Sequence, residues 1–117
     1  MLSFPLISDS DHINLCIDNE FRLLGFNTRN NITYCFCAYL WGNTKASVVC
    51  RHLNLSYTGV GSQVSTRKIY TRIEFGIICK GNESSLFDCN PDTSDEISDA
   101  CQSLGDATVR CSGMSYK

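Results

Sequence analysis

The sequence lacks two features that would each point to a class of protein. It has no basic excess, since its 117 residues include ten lysines and arginines against twelve aspartates and glutamates, spread along the chain. Phosphate binding needs a clustered positive field, which argues against nucleic acid as the main partner. No apolar run approaches the roughly eighteen residues that a membrane helix requires. We therefore expect a domain that neither binds nucleic acid nor inserts directly into a membrane.

The sequence is also poor in the patterns that metal and catalytic sites use. Its two histidines, His12 and His52, lie far apart, and its one close cysteine pair, Cys35 and Cys37, is spaced too tightly for a zinc knuckle. No Ser-His-Asp set and no catalytic pair of carboxylates stands out, and every cysteine has a plausible disulfide partner. We expect no enzyme activity, no structural metal and no cofactor.

Cysteine is what the sequence has in excess. An even number in a chain of this length indicates four disulfides, with many possible pairings, and an oxidising compartment. Three N-x-S/T sequons, at Asn31, Asn54 and Asn82, also support an extracellular location. The first seven residues are too short for a signal peptide and are interrupted by Pro5, so we expect a domain of a larger secreted or membrane-anchored protein. The eight cysteines are Cys16, Cys35, Cys37, Cys50, Cys79, Cys89, Cys101 and Cys111.

Hydrophobic periodicity predicts a mainly β domain with one helix. Residues 13–17 and 68–75 alternate as half-buried strands do, and residues 32–40 are β-branched and aromatic. Residues 44–53 carry apolar side chains at helical spacing, with Asn43 or Thr44 as the N-cap. Further strands are predicted within 20–26, 77–79 and 107–111, a helical turn at 84–87, and loops at Gly59, Gly61 and 90–96. This pattern gives an α+β, mainly β, fold.

Three stretches of the sequence resemble the scavenger receptor cysteine-rich (SRCR) domain family. CAYLW followed by ASVVCRHL lies within 37–53, CKGNESSLFDC fills 79–89, and a cysteine followed by DATVRC closes the domain at 101–111. The middle stretch is the most specific, because it matches nearly residue for residue with both cysteines in place. The resemblance spans about residues 13–112, with 1–12 as a flexible lead-in and 113–117 as a tail or linker. It implies a curved antiparallel sheet that cradles one α-helix.

The resemblance also implies most of the disulfide pairing. The family's commoner eight-cysteine form has a further cysteine where this chain has Leu55. Cys16 and Cys35 are therefore left over, and parity together with their position on predicted neighbouring strands leads us to expect a fourth bridge, Cys16–Cys35. The bridges implied by the family pattern are Cys37–Cys101, Cys50–Cys111 and Cys79–Cys89.

Many members of this family capture ligands with calcium, which needs several converging oxygen ligands. The resemblance implies that acidic residues would follow Cys37 and Trp41 and precede Asp106. Asp106 is present, but one carboxylate does not hold calcium, and Lys45 would repel the ion. We therefore expect that this chain lacks the family's calcium site. The residues at the other matching positions are Ala38, Tyr39, Gly42, Lys45 and Gly105.

The best candidate contact surface in the sequence is the segment 65–72. Arg67, Lys68 and Arg72 place three of the ten basic residues within six positions, with Tyr70 between them. Arginine and tyrosine are favoured at interfaces, and the cluster would suit a polyanionic or glycan ligand or an acidic protein face. The alternative is a solvated strand edge whose charges prevent aggregation.

The resemblance implies an extracellular, non-enzymatic binding module of a larger receptor or secreted protein. Its ligand would be a protein, a glycan or a microbial surface, bound without calcium. One alternative is an accessory docking domain attached to a serine protease or another catalytic domain, which flanking sequence would reveal. A second alternative is a glycosylated structural spacer, in which charge reversal at Arg67, Lys68 and Arg72 would change no binding.

Overall fold

The structure is a computed structural model, and it describes residues 12–66, 69–73, 76–92, 100–101 and 103–113. Within these ranges the complete elements are strands with one α-helix, as the sequence predicts, and a 3₁₀ turn at Leu86–Asp88. No helix within the described ranges is long and apolar enough to cross a bilayer. In chain order the elements are β1 (Ile13–Ile17), β2 (Leu23–Asn27), β3 (Ile32–Phe36), α1 (Asn43–His52), β4 (Gly59–Val64), β5 (Thr71–Ile73), β6 (Gly76–Ile78), β7 (Asn90–Asp92) and β8 (Asp106–Cys111).

The largest sheet has the strand order β1-β2-β3-β5. The first three strands pair antiparallel, as expected, whereas β5 pairs parallel to β3. A parallel neighbour needs a long crossover connection, and α1 and β4 provide it here. In β1 the buried side chains of Ile13 and Leu15 alternate with the exposed ones of Asn14 and Cys16. That alternation is the one that the sequence predicts.

The strand β4 replaces the loop that we predicted from Gly59 and Gly61. It pairs antiparallel with β8 over its whole length and packs against α1. A Cβ on Gly59 would lie 2.5 Å from the sulfur of Cys50, and one on Gly61 would lie 2.5 Å from the carbonyl oxygen of Gly42. The two glycines are therefore present because the strand approaches the helix closely, not because the chain turns. The loop prediction was wrong for this reason.

The helix α1 buries the apolar face that its sequence predicts, with Ala46, Val49 and Cys50 fully buried. The N-cap prediction was wrong, because the helix begins after Gly42 and no side chain caps it. The Asn43 carboxamide oxygen instead accepts a hydrogen bond from the backbone N–H of Gly61 at 3.0 Å. The predicted capping side chain is thus used to hold β4 against the start of the helix.

The C-terminal end of α1 is a Schellman motif. The backbone N–H of Leu55 donates to the carbonyl of Cys50 at 2.9 Å, and that of Asn54 donates to the carbonyl of Arg51 at 3.0 Å. Asn54 has the left-handed conformation that this motif needs, with a φ of 58°. Asparagine is one of the few non-glycine residues that adopt this conformation readily.

The segment 90–96, predicted as a loop, begins with the strand β7. It pairs antiparallel with β6, so that Ile78 faces Asn90 and Gly76 faces Asp92. Pro91 is compatible with this pairing because the sheet has only two strands and each is an edge. The rest of the predicted loop, residues 93–96, lies outside the described residues.

Three disulfides staple these elements, and they are the pairings that the family resemblance implies. Their Cα–Cα distances of 4.8–5.7 Å lie in the ordinary range for disulfides. By the chain-entropy estimate each of the two bridges that close long loops contributes about 4 kcal/mol to stability. The bridges are Cys37–Cys101, Cys50–Cys111 and Cys79–Cys89.

The expected fourth bridge, Cys16–Cys35, is absent, and both thiols are free. Cys16 on β1 lies opposite Leu24 on β2, and Leu24 lies opposite Cys35 on β3. The two cysteines share a face of the sheet, but β2 separates their Cα atoms by two strand spacings, about 10 Å. A disulfide needs its Cα atoms within about 7 Å. The expectation failed because β1 and β3 are not neighbours.

Candidate functional site

The predicted contact segment, 65–72, connects β4 to β5. Ser65 and Thr66 are exposed, Ile69 is 77% exposed and Tyr70 is half-buried. Arg67 and Lys68 lie outside the described residues. The segment therefore presents an apolar side chain, Ile69, to solvent next to the two basic positions of the sequence.

A buried arginine holds the beginning of this segment. The Arg22 guanidinium, 1% exposed, donates from Nη2 to the carbonyl oxygen of Ser65 at 2.8 Å. The same guanidinium lies 5.9 Å from the centroid of the Tyr70 ring. Arg22 therefore contacts the segment both before and after its basic pair.

The end of the segment is fixed by Arg72, which we had predicted to contact a ligand. The structure turns Arg72 inward, because its position on β5 faces Cys35 of β3 on a covered side of the sheet. Its Nη2 donates to the backbone carbonyl oxygens of Leu104 and Gly105, the latter at 3.0 Å, and its side chain is only 15% exposed. Arg72 thus positions the segment instead of presenting its charge to a partner.

Buried charges join these anchors to the rest of the fold. Arg22 Nε donates to Asp106 Oδ2 at 2.9 Å, and Arg72 Nε lies 3.8 Å from Asp106 Oδ1. Arg22 Nη1 also donates to the carboxylates of Asp18, at 2.7 Å, and Glu20, at 2.9 Å. Burial alone would lower the pKa of the Arg22 guanidinium, but the hydrogen bonds to three carboxylates outweigh it and raise the pKa. We call Arg22, Arg72, Asp106 and Cys35 the buried polar cluster.

The thiol of Cys35 belongs to this cluster. Burial, and then the charge of Asp106 and a hydrogen bond to it, raise the pKa of Cys35 to about 12. Cys35 is therefore a neutral thiol at physiological pH, whereas nucleophilic cysteines need the thiolate. Burial and the charge of Asp18 also raise the pKa of the exposed Cys16. Neither free thiol is placed as a catalytic nucleophile would be.

The residues at the family's calcium positions do not fit a calcium ion. The carboxylate of Asp106 is fully buried and is neutralised by the guanidinium of Arg22. Lys45 donates from Nζ to the carbonyl oxygen of Leu40 at 3.0 Å, which places an ammonium group beside the same positions. The one carboxylate that remains, Asp106, thus lies beside two guanidinium groups, those of Arg22 at 2.9 Å and Arg72 at 3.8 Å, and it does not supply the several oxygen ligands that calcium needs.

The described residues contain one other group that resembles a metal site, formed by Cys79, Glu83 and Cys89. The two sulfur atoms are bonded to each other in a disulfide. The Glu83 carboxylate accepts hydrogen bonds from the backbone N–H groups of Lys80, at 2.8 Å, and Gly81, at 2.9 Å, which lower its pKa. This arrangement stabilises the loop and does not bind an ion.

A shallow groove lies beside the contact segment. Its walls are the end of β4 with the following residues, 63–66, and the segment 103–105 that precedes β8. The buried polar cluster fixes both walls, because Arg22 binds Ser65 and Arg72 binds Leu104 and Gly105. The groove and the contact segment together form the candidate functional site.

The last two residues of α1 hold a second surface together. Arg51 binds the loop after α1 at Tyr57 and the disulfide-closed loop at Glu83, and His52 binds the 3₁₀ turn. His52 Nδ1 accepts a hydrogen bond from the backbone N–H of Leu86 at 3.3 Å and lies 2.9 Å from the Ser85 hydroxyl. Burial lowers the pKa of His52, against the charge of Asp88, which raises it. His52 is thus a neutral cap of the turn.

Sequence reasoning missed Arg22, Arg51 and the role of Asp106. Arg22 carried one local signal, because Asp18 and Glu20 precede it in a strand-like stretch and can reach its side chain. Its contacts with Asp106 and Ser65 join residues 84 and 43 positions away along the chain, and no pattern in the sequence predicts them.

Comparison with known proteins agrees with the family resemblance seen in the sequence. A family model described as the scavenger receptor cysteine-rich domain matches residues 27–112. The crystal structure of the third SRCR domain of murine neurotrypsin is similar, with a TM-score of 0.58 and 20% identity over 88% of this chain and 99% of that chain. The SRCR domain of mouse MARCO, crystallised in a dimeric form, is similar with a TM-score of 0.57 and 26% identity over 78% of this chain and 84% of that chain. No curated protein sequence matches the chain.

Proposed function

The chain belongs to the scavenger receptor cysteine-rich domain family, whose members are typically extracellular, non-catalytic binding modules, and we propose that it binds an anionic protein or glycan surface through residues 65–72. The binding does not use calcium. The ligand surface can equally be that of a cell or of a microbe, since both present clustered negative charge.

The observation that carries this proposal is the double anchoring of the contact segment. Arg22 fixes Ser65 before the basic pair, and Arg72 fixes the chain after it. Between the anchors Ile69 is 77% exposed. A segment whose ends are already ordered loses less conformational entropy when it binds a partner. The buried arginines therefore favour a presented binding segment over a plain strand edge.

The chemistry of the segment favours an anionic ligand. Arg67 and Lys68 supply positive charge, and Ile69 and Tyr70 supply apolar and aromatic surface next to it. Complementary charge raises the association rate and makes binding sensitive to salt. Calcium is not needed to bridge two negative surfaces, because the contact segment itself is positive.

The test uses heparin, a sulfated polysaccharide, as a defined anionic probe. The secreted chain is passed over immobilised heparin, and the salt concentration that elutes it is compared with that of the double variant Arg67→Glu, Lys68→Glu. We expect the variant to lose retention at physiological salt, and the wild-type chain to bind equally with calcium and with a chelator. The matched control is Arg29→Glu, Lys80→Glu, which changes the net charge equally at two exposed positions elsewhere.

The outcomes separate the hypotheses. If both double variants lose retention equally, binding follows net charge and the contact segment is not the site. If the wild-type chain binds neither heparin nor cells, the structural spacer is the better description. If the wild-type chain binds with calcium but not with the chelator, the calcium-free part of the proposal is wrong.

A further inference from the structure

Two of the three sequons lie on one surface of the molecule, although they are far apart in the sequence. Asn54 follows the end of α1, and Asn82 lies in the loop that the third disulfide closes. Both side chains are exposed. Asn54 lines one groove and Asn82 lines another, and the two grooves share Arg51 and Tyr57. The grooves therefore adjoin, and we call them together the Arg51 surface.

Arg51 joins the two loops that carry these sequons. Its Nη1 donates to the carbonyl oxygen of Tyr57 at 3.1 Å, and its Nε donates to that of Glu83 at 3.1 Å. Its Nη2 donates to the carbonyl oxygen of Gly81. One guanidinium thus binds residues on both loops, so the two asparagines are held at fixed positions relative to each other.

The Arg51 surface exposes apolar side chains beside Asn54. Leu55 is 51% exposed and Tyr57 is 81% exposed, and both line the same groove as Asn54. Adjacent exposed apolar side chains form a small patch that a covering group can shield from water. The C–H face of a sugar ring packs on an aromatic ring, and Asn54, an attachment point for sugar, borders this groove. Asn82 borders the adjoining groove, which Tyr57 also lines.

The attachment point at Asn54 is rigid. Asn54 occupies the left-handed position of the Schellman motif, and its backbone N–H is bonded to the last turn of α1. A glycan attached there begins from a backbone that the helix fixes, so its first sugars stay near Leu55 and Tyr57.

We propose that an N-linked glycan on Asn54 covers Leu55 and Tyr57, and that a second glycan on Asn82 extends the cover over the Arg51 surface. In this modification the asparagine amide nitrogen bonds to C1 of N-acetylglucosamine in a lipid-linked oligosaccharide, the lipid diphosphate leaves and the amide loses one proton. Ligands are thereby excluded from this end of the molecule.

The glycan cover leaves the contact segment free. β4 begins beside the Arg51 surface, since Gly59 follows Tyr57 and Thr58, and it ends at Val64 beside Ser65. Five residue steps of an extended strand separate its ends by about 17 Å. The Arg51 surface and the contact segment therefore lie at opposite ends of one strand, and the inference holds whether or not the contact segment binds its proposed ligand.

The test compares glycosylated and unglycosylated protein made in the same secretory cells. Ser56→Ala removes the Asn54 sequon, whereas Ser56→Thr keeps both the sequon and a hydroxyl. Glycopeptide mass spectrometry measures occupancy, and hydroxyl-radical footprinting measures the oxidation of Tyr57. We expect Asn54 to be occupied in the wild type and in Ser56→Thr, and Tyr57 to oxidise several-fold faster in Ser56→Ala.

Two further measurements keep the inference falsifiable. Enzymatic trimming of the wild-type protein to a single N-acetylglucosamine tests the cover without any substitution, and we expect most of the Tyr57 protection to remain. Thr33→Ala removes the distant Asn31 sequon and should leave Tyr57 oxidation unchanged. An unoccupied Asn54, or equal Tyr57 oxidation with and without its glycan, overturns the proposal.

Discussion

The two sides of the four-stranded sheet are built by different physical means. One side buries Leu15, Leu23 and Phe36 in an apolar cluster that extends over α1 and β8. The other side buries the polar cluster, in which Arg22 and Arg72 meet Asp106 and the thiol of Cys35. The apolar side depends on a force without direction, whereas the polar side depends on particular atoms that meet at particular distances.

This difference predicts how each side responds to change. An apolar core tolerates substitutions that conserve volume, and it resists those that add atoms where backbone and helix meet. A buried ion pair tolerates the loss of neither partner, because the remaining charge keeps its desolvation cost. The polar side should therefore be the more fragile one, although it contains fewer residues.

The largest expected effect is that of Asp106→Asn, which leaves the buried Arg22 without its fully buried carboxylate. We expect the free energy of unfolding to fall by about 3–5 kcal/mol. The measurement is urea denaturation at neutral pH with the disulfides intact. The control is Asp18→Asn, which removes another carboxylate from Arg22 but keeps an oxygen that can accept from the backbone N–H groups of Glu20 and Arg22. Equal losses in the two variants would contradict the special role of the buried polar cluster.

A smaller loss is expected on the apolar side from Gly59→Ala. The added Cβ would lie 2.5 Å from the Cys50 sulfur and 3.1 Å from the carbonyl oxygen of Ala46, so β4 must move away from α1. We expect a destabilisation of about 2–3 kcal/mol in thermal unfolding. Gly42→Ala is the comparison, because a Cβ there meets no atom within 4 Å. A neutral Gly59→Ala would show that the helix and β4 are less tightly packed than the structure has them.

The smallest effect on stability is expected at the exposed free thiol, Cys16. Iodoacetamide at pH 8.5 should label Cys16 in the folded protein and Cys35 only after unfolding, and Cys16→Ser should change stability by no more than about 0.5 kcal/mol. The buried thiol, Cys35, makes stability depend on pH. Its folded-state pKa is raised from 9.0 to about 12, so the stability that the neutral thiol contributes is fully present below pH 9 and is lost as the pH rises toward 12. If neither thiol is labelled in the unfolded, unreduced protein, Cys16 and Cys35 are bonded to each other after all.

The apolar side was largely predictable from the sequence, and the polar side was not. The alternation in β1 and the helical spacing of Ala46, Val49 and Cys50 follow from local periodicity, and the structure confirms both. Gly59 misled because glycine marks a close approach as well as a turn, and only the tertiary structure shows which. Arg22 and Asp106 could not be paired in advance, since pairing two charges requires the topology.

The candidate site also has features that the sequence showed and features that it did not show. The sequence showed the basic segment and the sequons, because both are local patterns. It did not show that Arg72 points inward, which depends on the parallel pairing of β5 with β3. Nor did it show that Asn54 and Asn82 share a surface, which depends on the three hydrogen bonds of Arg51.

Three consecutive residues at the end of α1 each bind a different part of the chain. Cys50 is bonded to Cys111 of β8, Arg51 binds the two sequon loops, and His52 binds the 3₁₀ turn. An inserted or deleted residue in the helix before them would rotate all three by about 100° and break every one of these contacts at once. In relatives that keep this arrangement, the length between the start of α1 and His52 should be constant.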